Sequence, residues 1–344
     1  MTPGFKVLSP GLHTTVQDLG RVGYQALGVP VSGALDPLTF RLANALVGNA
    51  EGAAALEILL SGPSFEIIAD RVRVAVAGAG ASLVIDRGAR RVPAWHSTTL
   101  SRGETFEIAL GHRSASAYLA VEGGIAVPLI LGSAATYVRA GLGGFHGRAL
   151  QFGDIVPIAL DRAAERTEKR LLLPLSTTDA HPVRVVLGPQ QDLFTDDAVT
   201  ALLEAEFRIS QHADRMGMRL DGPHLRHRSG WDIVSDAIAT GAIQVPGSGQ
   251  PIVLLADHQT TGGYPKIATV ISADLPVIGR RQPGDAVRFA AVSVEEAEQA
   301  AHEAERMLAA RIASFAPVPT HSGDIDLNSL YVGNLISGVV TASE

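Results

Sequence analysis

Apolar residues along this chain fall in short runs, four to six long, stopped by Gly, Pro or Asp within a few positions. Leu56–Leu60, Phe65–Ile68, Val72–Val76, Leu83–Ile85, Thr99–Leu100, Thr105–Ala109, Ala117–Val121 and Ile155–Ile158 follow this pattern in the first half. Val183–Leu187, a run from Phe207, Ala242–Val245 and Ile252–Ala256 continue it in the second. Runs of this length and spacing predict buried strands of a barrel or sandwich rather than helices.

Helical spacing is confined to a few places. Leu38, Leu42, Ala45 and Leu46 repeat at three and four, with Asp36 as a cap and Pro37 in the first turn, where its missing N–H costs nothing. Thr195 to Leu203 has the same character. Ser293 and Glu296 form a capping-box pattern ahead of a Glu-, Ala- and Arg-rich helix to about Ser314. Gly132 to Gly147 is a long Gly-rich loop.

At 344 residues the chain exceeds one ordinary core, so two domains are expected. The polar stretch Asp161 to Lys169 marks their boundary, a solvated helix being the other reading. We divide the chain into residues 1–168, 169–290 and a C-terminal helix and tail, 291–344. Both halves close on a similar phrase, Gln151–Phe–Gly153–Asp154 and Gln282–Pro–Gly284–Asp285, each feeding an apolar strand. This echo hints at duplication. In the tail, Leu327, Leu330, Tyr331, Val332, Leu335 and Ile336 suit docking on a surface.

Composition narrows the function. A net charge of -7 without basic runs argues against nucleic-acid binding. The absence of cysteine removes thiol nucleophiles, disulfides and cysteine metal sites. No run nears the roughly 20 apolar residues of a membrane span, and the N-terminus lacks a signal core, so a cytoplasmic protein is expected. His224 and His227, with His212 upstream, lack the neighbouring carboxylate of a zinc motif, so no metal is expected. Gly78–Ala–Gly80 lacks the third glycine of a dinucleotide fingerprint, Leu83 standing in its place, and there is no phosphate-binding loop or nucleophile elbow. No cofactor motif is present.

The candidate chemistry concentrates between Gly241 and Lys266. There the run Ile252–Ala256 ends in Asp257, His258, Gln259, Thr260, Thr261, Gly262 and Gly263, then Tyr264, Pro265 and Lys266. Such a cluster after a buried strand is either a hairpin turn bonding its own backbone or a loop whose groups meet a small polar ligand. Glu57, inside an apolar run, needs a partner such as Arg21, or it titrates. Asp18, Arg21 and Tyr24 either anchor their own Gly-bounded loop or face a ligand, and Asp36 and Asn44 either cap a helix and close its end or do the same.

Longer phrases carry a resemblance. Thr14-Thr-Val-Gln-Asp-Leu-Gly-Arg21, Gly28–Val29–Pro30, Leu46–Val47–Gly48–Asn49, Leu131–Gly132–Ser133, Asp214–Arg215–Met216–Gly217, Gly241-Ala-Ile-Gln-Val-Pro246 and Gln259-Thr-Thr-Gly-Gly-Tyr-Pro265 resemble one family across residues 8 to 290. It is the family of the C-type 5-oxoprolinase subunits (KipA), allophanate hydrolase subunit 2 and the biotin-dependent carboxyltransferases. The resemblance implies two cyclophilin-like β-barrels in tandem. It implies a C-type subunit that acts with a B-type (KipI-like) subunit and an ATP-using A-type subunit to open 5-oxoproline to glutamate. Alternatives within the family are a biotin-dependent urea carboxyltransferase component, with biotin on another chain, and a regulatory protein-binding subunit.

With that resemblance, Asp18, Glu57, Asp257, Tyr264 and Lys266 are the catalytic candidates. Gln17, Arg21, Tyr24, Asp36, Asn44, Gln244, Gln259, Thr260, Thr261, Gly262 and Gly263 are those for binding an amide or lactam. The expectation is that the Gln17–Arg21 segment and the Thr-Thr-Gly-Gly turn frame one shared cleft. Two departures stand out: Ala134 follows Leu-Gly-Ser where relatives usually carry Arg, and Ala213 precedes Asp-Arg-Met-Gly where many carry Ser.

Overall fold

The computed structural model describes residues 2–111, 116–172 and 181–319. The apolar runs form strands as their lengths predict, including Ala55–Leu59, Ser64–Ile67, Arg71–Ala77, Ser82–Ile85, Thr105–Ala109 and Ser116–Val121. In the first half they build two sheets. One has the order Ile155–Pro157, Gly4–Ser9, Ser64–Ile67, Thr105–Ala109, Ser82–Ile85, Arg90–Pro93. The other runs His13–Gln17, Ala55–Leu59, Ser116–Val121, Arg71–Ala77, His96–Ser101, Lys169–Arg170, Ala316–Pro317. Their inner faces enclose one core with the rings of Phe5, Phe65 and Phe106 packed together.

The second half holds an eight-stranded sheet, from Ala286–Val287 through Phe207–Ala213, Gly217–Asp221, Ile252–Leu254, Ala242–Gln244, Lys266–Val270 and Val183–Leu187 to Phe289–Ala291. It wraps a second core that includes Val185, Phe194, Phe207, Ile243, Val253 and Phe289. Thr261–Gly262 pairs with Asp236–Ala237 in a separate two-stranded ribbon.

The echoed phrases adopt one geometry. The Gly153 amide donates to Val7 O and Asp154 O accepts from the Val7 amide. Likewise, the Gly284 amide donates to Ile209 O and Asp285 O accepts from the Ile209 amide. In each turn the aspartate also accepts from the amide three residues earlier, Gln151 at 2.7 Å and Gln282 at 2.8 Å. Each phrase thus leads a strand onto an earlier strand of its own half, Gly4–Ser9 in the first and Phe207–Ala213 in the second.

Helices are few: α1 (Pro37–Leu46), α2 (Asp196–Glu204), α3 (Leu275–Gly279) and α4 (Val294–Ala313). Asp36 caps α1 through the Thr39 amide at 3.0 Å. Thr195 caps α2 at 3.2 Å, and Ser293 with Glu296 closes a complete capping box on α4. The chain is therefore mainly β, with two tandem cyclophilin-like barrel units, a few short helices and a C-terminal helix.

The joins differ from the sequence reading in detail. Asp161 to Lys169 lies on the first barrel: Arg73 binds Glu168 at 3.0 Å and Glu122 at 2.5 Å, and Lys169–Arg170 joins the sheet beside His96–Ser101. After the second barrel, α4 returns to the first, burying Leu308 in its core and setting Glu305 against Arg41 at 2.6 and 2.8 Å. Ala316–Pro317 pairs with Lys169–Arg170. Residues 320–344 of the expected docking tail lie outside the described residues.

Candidate functional site

Strand alternation decides which side chains meet between the barrels. In the paired strands His13–Gln17 and Ala55–Leu59, Thr15 opposes Glu57 and His13 opposes Leu59. Val16, Leu56 and Ile58 face the first core. His13, Thr15, Gln17, Glu57 and Leu59 therefore share the other face, and Leu59 packs against the second core.

Arg215 meets this face from the second barrel, on the turn between Phe207–Ala213 and Gly217–Asp221. The turn is held by Asp214, whose carboxylate accepts from the Met216 amide at 2.7 Å and the Gly217 amide at 3.2 Å. The buried guanidinium of Arg215 forks onto Asp257 at 2.8 and 3.1 Å, donates to Gly33 O at 2.7 Å and pairs with Glu57. The other oxygen of Glu57 accepts from the Leu35 amide and the Tyr118 hydroxyl, both at 2.8 Å. The Asp257 amide donates back to Arg215 O at 2.8 Å. A planar fork met by two carboxylates is the geometry in which Arg is best satisfied away from water. Burial opposes the charge on Arg215, but Glu57 and Asp257 outweigh it and hold the guanidinium protonated. Burial pushes the Tyr118 phenol well up, helped by Glu57, so it stays a hydrogen-bond donor.

Asp257 has one edge on a cavity of about 350 Å³ between the barrels. Its wall is made by Leu12, His13, Leu59, Leu60, Val138 and Arg139 from the first barrel and by residues 213–216 and Asp257 from the second. Burial, reinforced by Arg215, pushes the His13 imidazole down and keeps it neutral near pH 7. A second cavity, about 430 Å³, lies on the other side of the 213–216 turn, lined by His212, Arg219, Gln244, Gln259 and Tyr264 among others. The turn carrying Arg215 is the common wall of the two.

Of the residues expected from sequence, Asp257 reaches the inter-barrel cavity and Glu57 supports it from behind. The partner of Glu57 is Arg215, not Arg21, because Glu57 points out of the first core toward the second barrel. Arg21 instead donates to Ala135 O, and Asp18 accepts from Gly20 N at 2.7 Å, Ser133 Oγ at 2.7 Å and Ala134 N at 2.6 Å. Gln17 reaches Thr15 Oγ1 at 3.0 Å and Thr136 O at 3.3 Å. The Gln17–Arg21 segment thus clamps the loop at 133–136 and lines neither cavity. The shared cleft expected between that segment and the Thr-Thr-Gly-Gly turn is replaced by two cavities back to back.

Asp36, Asn44 and Tyr24 serve local structure. Asp36 caps α1 and meets Arg280 at 3.2 Å, and its carboxyl is raised by burial despite Arg280. Asn44 closes the end of α1 onto Ala53 O at 2.9 Å, and the Tyr24 carbonyl accepts from Leu27 N at 2.9 Å.

In the second barrel Gln244 bonds Tyr264 O and Gln259, each at 3.3 Å, so Gln244, Gln259 and Tyr264 form one polar wall. The Tyr264 ring meets the exposed Trp231 ring at a tilt, centroids 6.2 Å apart. Lys266 is buried on Asp236 at 2.7 Å and Ala237 O at 3.0 Å, beneath the ribbon. Thr260 O accepts from the Ile238 amide at 3.0 Å, and Thr261–Gly262 is a ladder strand on Asp236–Ala237, so this stretch is an edge of the ribbon and not a hairpin turn bonding its own backbone. A side chain on Gly262 would strike Gln244 and Ile238 at 2.8 Å. Gly263 O accepts from the Ile233 amide at 2.8 Å.

Arg215, Tyr118, His13 and Arg139 were missed as site residues. Arg215 had a signal: a second carboxylate, Asp257, closing a buried apolar run, besides Glu57, with one cation in a tight Asp-Arg-Met-Gly turn. The ring nitrogens of His224 and His227 face Ser248 O at 2.7 Å and Val245 O at 3.1 Å. Among the described residues no three His, Asp or Glu side chains converge as metal ligands, and no helix is long and apolar enough to cross a membrane.

This pair of barrels defines a carboxyltransferase-type protein, and the chain belongs to the family of the carboxyltransferase domain, subdomains A and B, which matches residues 27–291. It is 36% identical to the C-type subunit of 5-oxoprolinase from Escherichia coli (strain K12) over 306 residues, covering 88% of this chain and 95% of that one. It is 31% identical to the urea amidolyase of Saccharomyces cerevisiae over 309 residues, 84% of this chain but 17% of that one. Among solved structures it is similar to the Kluyveromyces lactis urea carboxylase, with a TM-score of 0.82 at 29% identity over 90% of this chain and 29% of that one.

Proposed function

We infer that the chain is the C-type subunit of an ATP-dependent 5-oxoprolinase, opening the lactam 5-oxoproline to glutamate together with partner subunits, and that the inter-barrel cavity holds the lactam. The observation that carries this reading is Asp257, a carboxylate locked by the Arg215 fork yet edged onto a cavity. An acceptor so fixed suits a lactam N–H. Drawing that proton toward Asp257 shifts electron density onto the lactam oxygen, the atom an activated phosphoryl group would take. In the overall ring opening the C–N bond breaks, water supplies oxygen to the carbon, and nitrogen gains the proton. The likeness to the bacterial 5-oxoprolinase component along nearly its whole length supports the choice of substrate. The mouth of the cavity supports partner subunits: Leu12 and Leu60 are 66% and 58% exposed there, an apolar rim suited to being covered.

In this reading a B-type partner completes the cavity, an A-type partner uses ATP, and the chain is inactive alone, in the cytoplasm. Mixing the chain with both partner subunits, ATP and 5-oxoproline should release glutamate, and Asp257→Asn should cut that rate about a hundredfold or more. No glutamate from the complete mixture would sink the reading. Bicarbonate-dependent, avidin-sensitive turnover of urea would select the carboxyltransferase alternative. Partner binding without either turnover would select the regulatory one.

A further inference from the structure

One cation on the wall of the inter-barrel cavity carries no counterion among the described residues. Arg139 is exposed, lines the cavity with Asp257, and has no protein partner among the described residues. Its backbone is held firmly, unlike that of a typical surface arginine. It sits in the single turn Val138–Ala140, closed below by paired hydrogen bonds between Tyr137 and Leu142 at 2.8 and 3.1 Å. That turn follows the 133–136 segment, which Asp18, Arg21 and Gln17 clamp.

The other cation on the same wall, Arg215, already faces two carboxylates, so an added anion near it would meet net negative charge. Arg139 alone among the charged groups on this wall can draw an anion in. 5-Oxoproline carries its carboxylate on the carbon bonded to the ring nitrogen, whereas urea carries no carboxylate.

Resting on the lactam reading above, we propose that Arg139 binds the substrate carboxylate while Asp257 takes the adjacent N–H, and that this pair selects a carboxylated lactam over an uncharged amide. Arg139 is then a binding and specificity residue of the first barrel.

The test measures equilibrium binding of 5-oxoproline and of 2-pyrrolidinone, the same ring without the carboxylate, to the assembled complex. It compares the wild type with Arg139→Ala and Arg139→Lys. Arg139→Ala should weaken 5-oxoproline about tenfold or more, the scale of a charge-assisted hydrogen bond, and leave 2-pyrrolidinone unchanged. Arg139→Lys should recover part of the loss. No change for 5-oxoproline, or equal loss for both ligands, overturns the proposal. Wild-type complex that binds 5-oxoproline but makes no glutamate with ATP defeats the catalytic reading, and the assignment of Arg139 is still decided by the two binding curves. Failure of the wild type to bind 5-oxoproline at all overturns both.

Discussion

Arg215 is the residue on which the site turns, because it is the sole cation between two buried carboxylates within its network. Removing one partner of such a set leaves uncompensated charge in the interior. Arg215→Ala should therefore cost about 3–5 kcal/mol, read as a fall in the urea midpoint at unchanged slope. Asp257→Asn removes one of two opposing carboxylates and keeps the shape, so it should fold and lose turnover. If both variants fold as well as the wild type and both turn over, the network has neither role. At this scale the sequence showed half of the arrangement. A carboxylate in the run Ala-Leu-Glu-Ile-Leu demanded a cation, but Arg21 and Arg215 are equal candidates until the strand's facing is known, and only the packing of two barrels supplies it.

At the scale of elements, apolar run length was enough to find most strands and all three longer helices, since burial and capping are local. The long-range joins were not legible. Lys169–Arg170 and Ala316–Pro317 become strands through edge pairing with the first barrel, and neither pair has an apolar pattern of its own. The 132–147 loop looked merely Gly-rich, yet Asp18 organises its start by accepting from Ser133 Oγ and Ala134 N. Asp18→Ala orphans buried donors, each worth about 1–3 kcal/mol, and loosens the turn that presents Arg139. It should weaken 5-oxoproline binding as well as stability. Ser293→Ala, which removes the α4 cap at a distance from both cavities, should cost about 1 kcal/mol and leave binding unchanged. Denaturant titration beside a binding curve separates the two, and unaltered binding in Asp18→Ala would show that the clamp does not position the site.

For the whole molecule, buried and half-buried histidines in both barrels make folding sensitive to pH. Burial pushes His13, His96 and His258 below the ordinary imidazole value. A depressed imidazole means that the unfolded chain binds protons before the folded one does. Stability is thus fully present above the unfolded value of about 6.5 and is lost as pH falls below it toward the folded values. The Tm should accordingly hold from pH 8 to 7 and drop between pH 6.5 and 5. His96 lies in the first barrel with Nδ1 on Ala94 O at 3.0 Å, remote from the cavity walls, whereas His13 lies on one. His96→Gln should flatten the Tm profile without touching substrate affinity. His13→Gln should flatten it and change affinity at the same time, because its imidazole shares the cavity with Asp257. A Tm that rises on acidification through this window would mean that the histidines gain charge in the folded state, and the neutral state assigned to His13 would then be wrong.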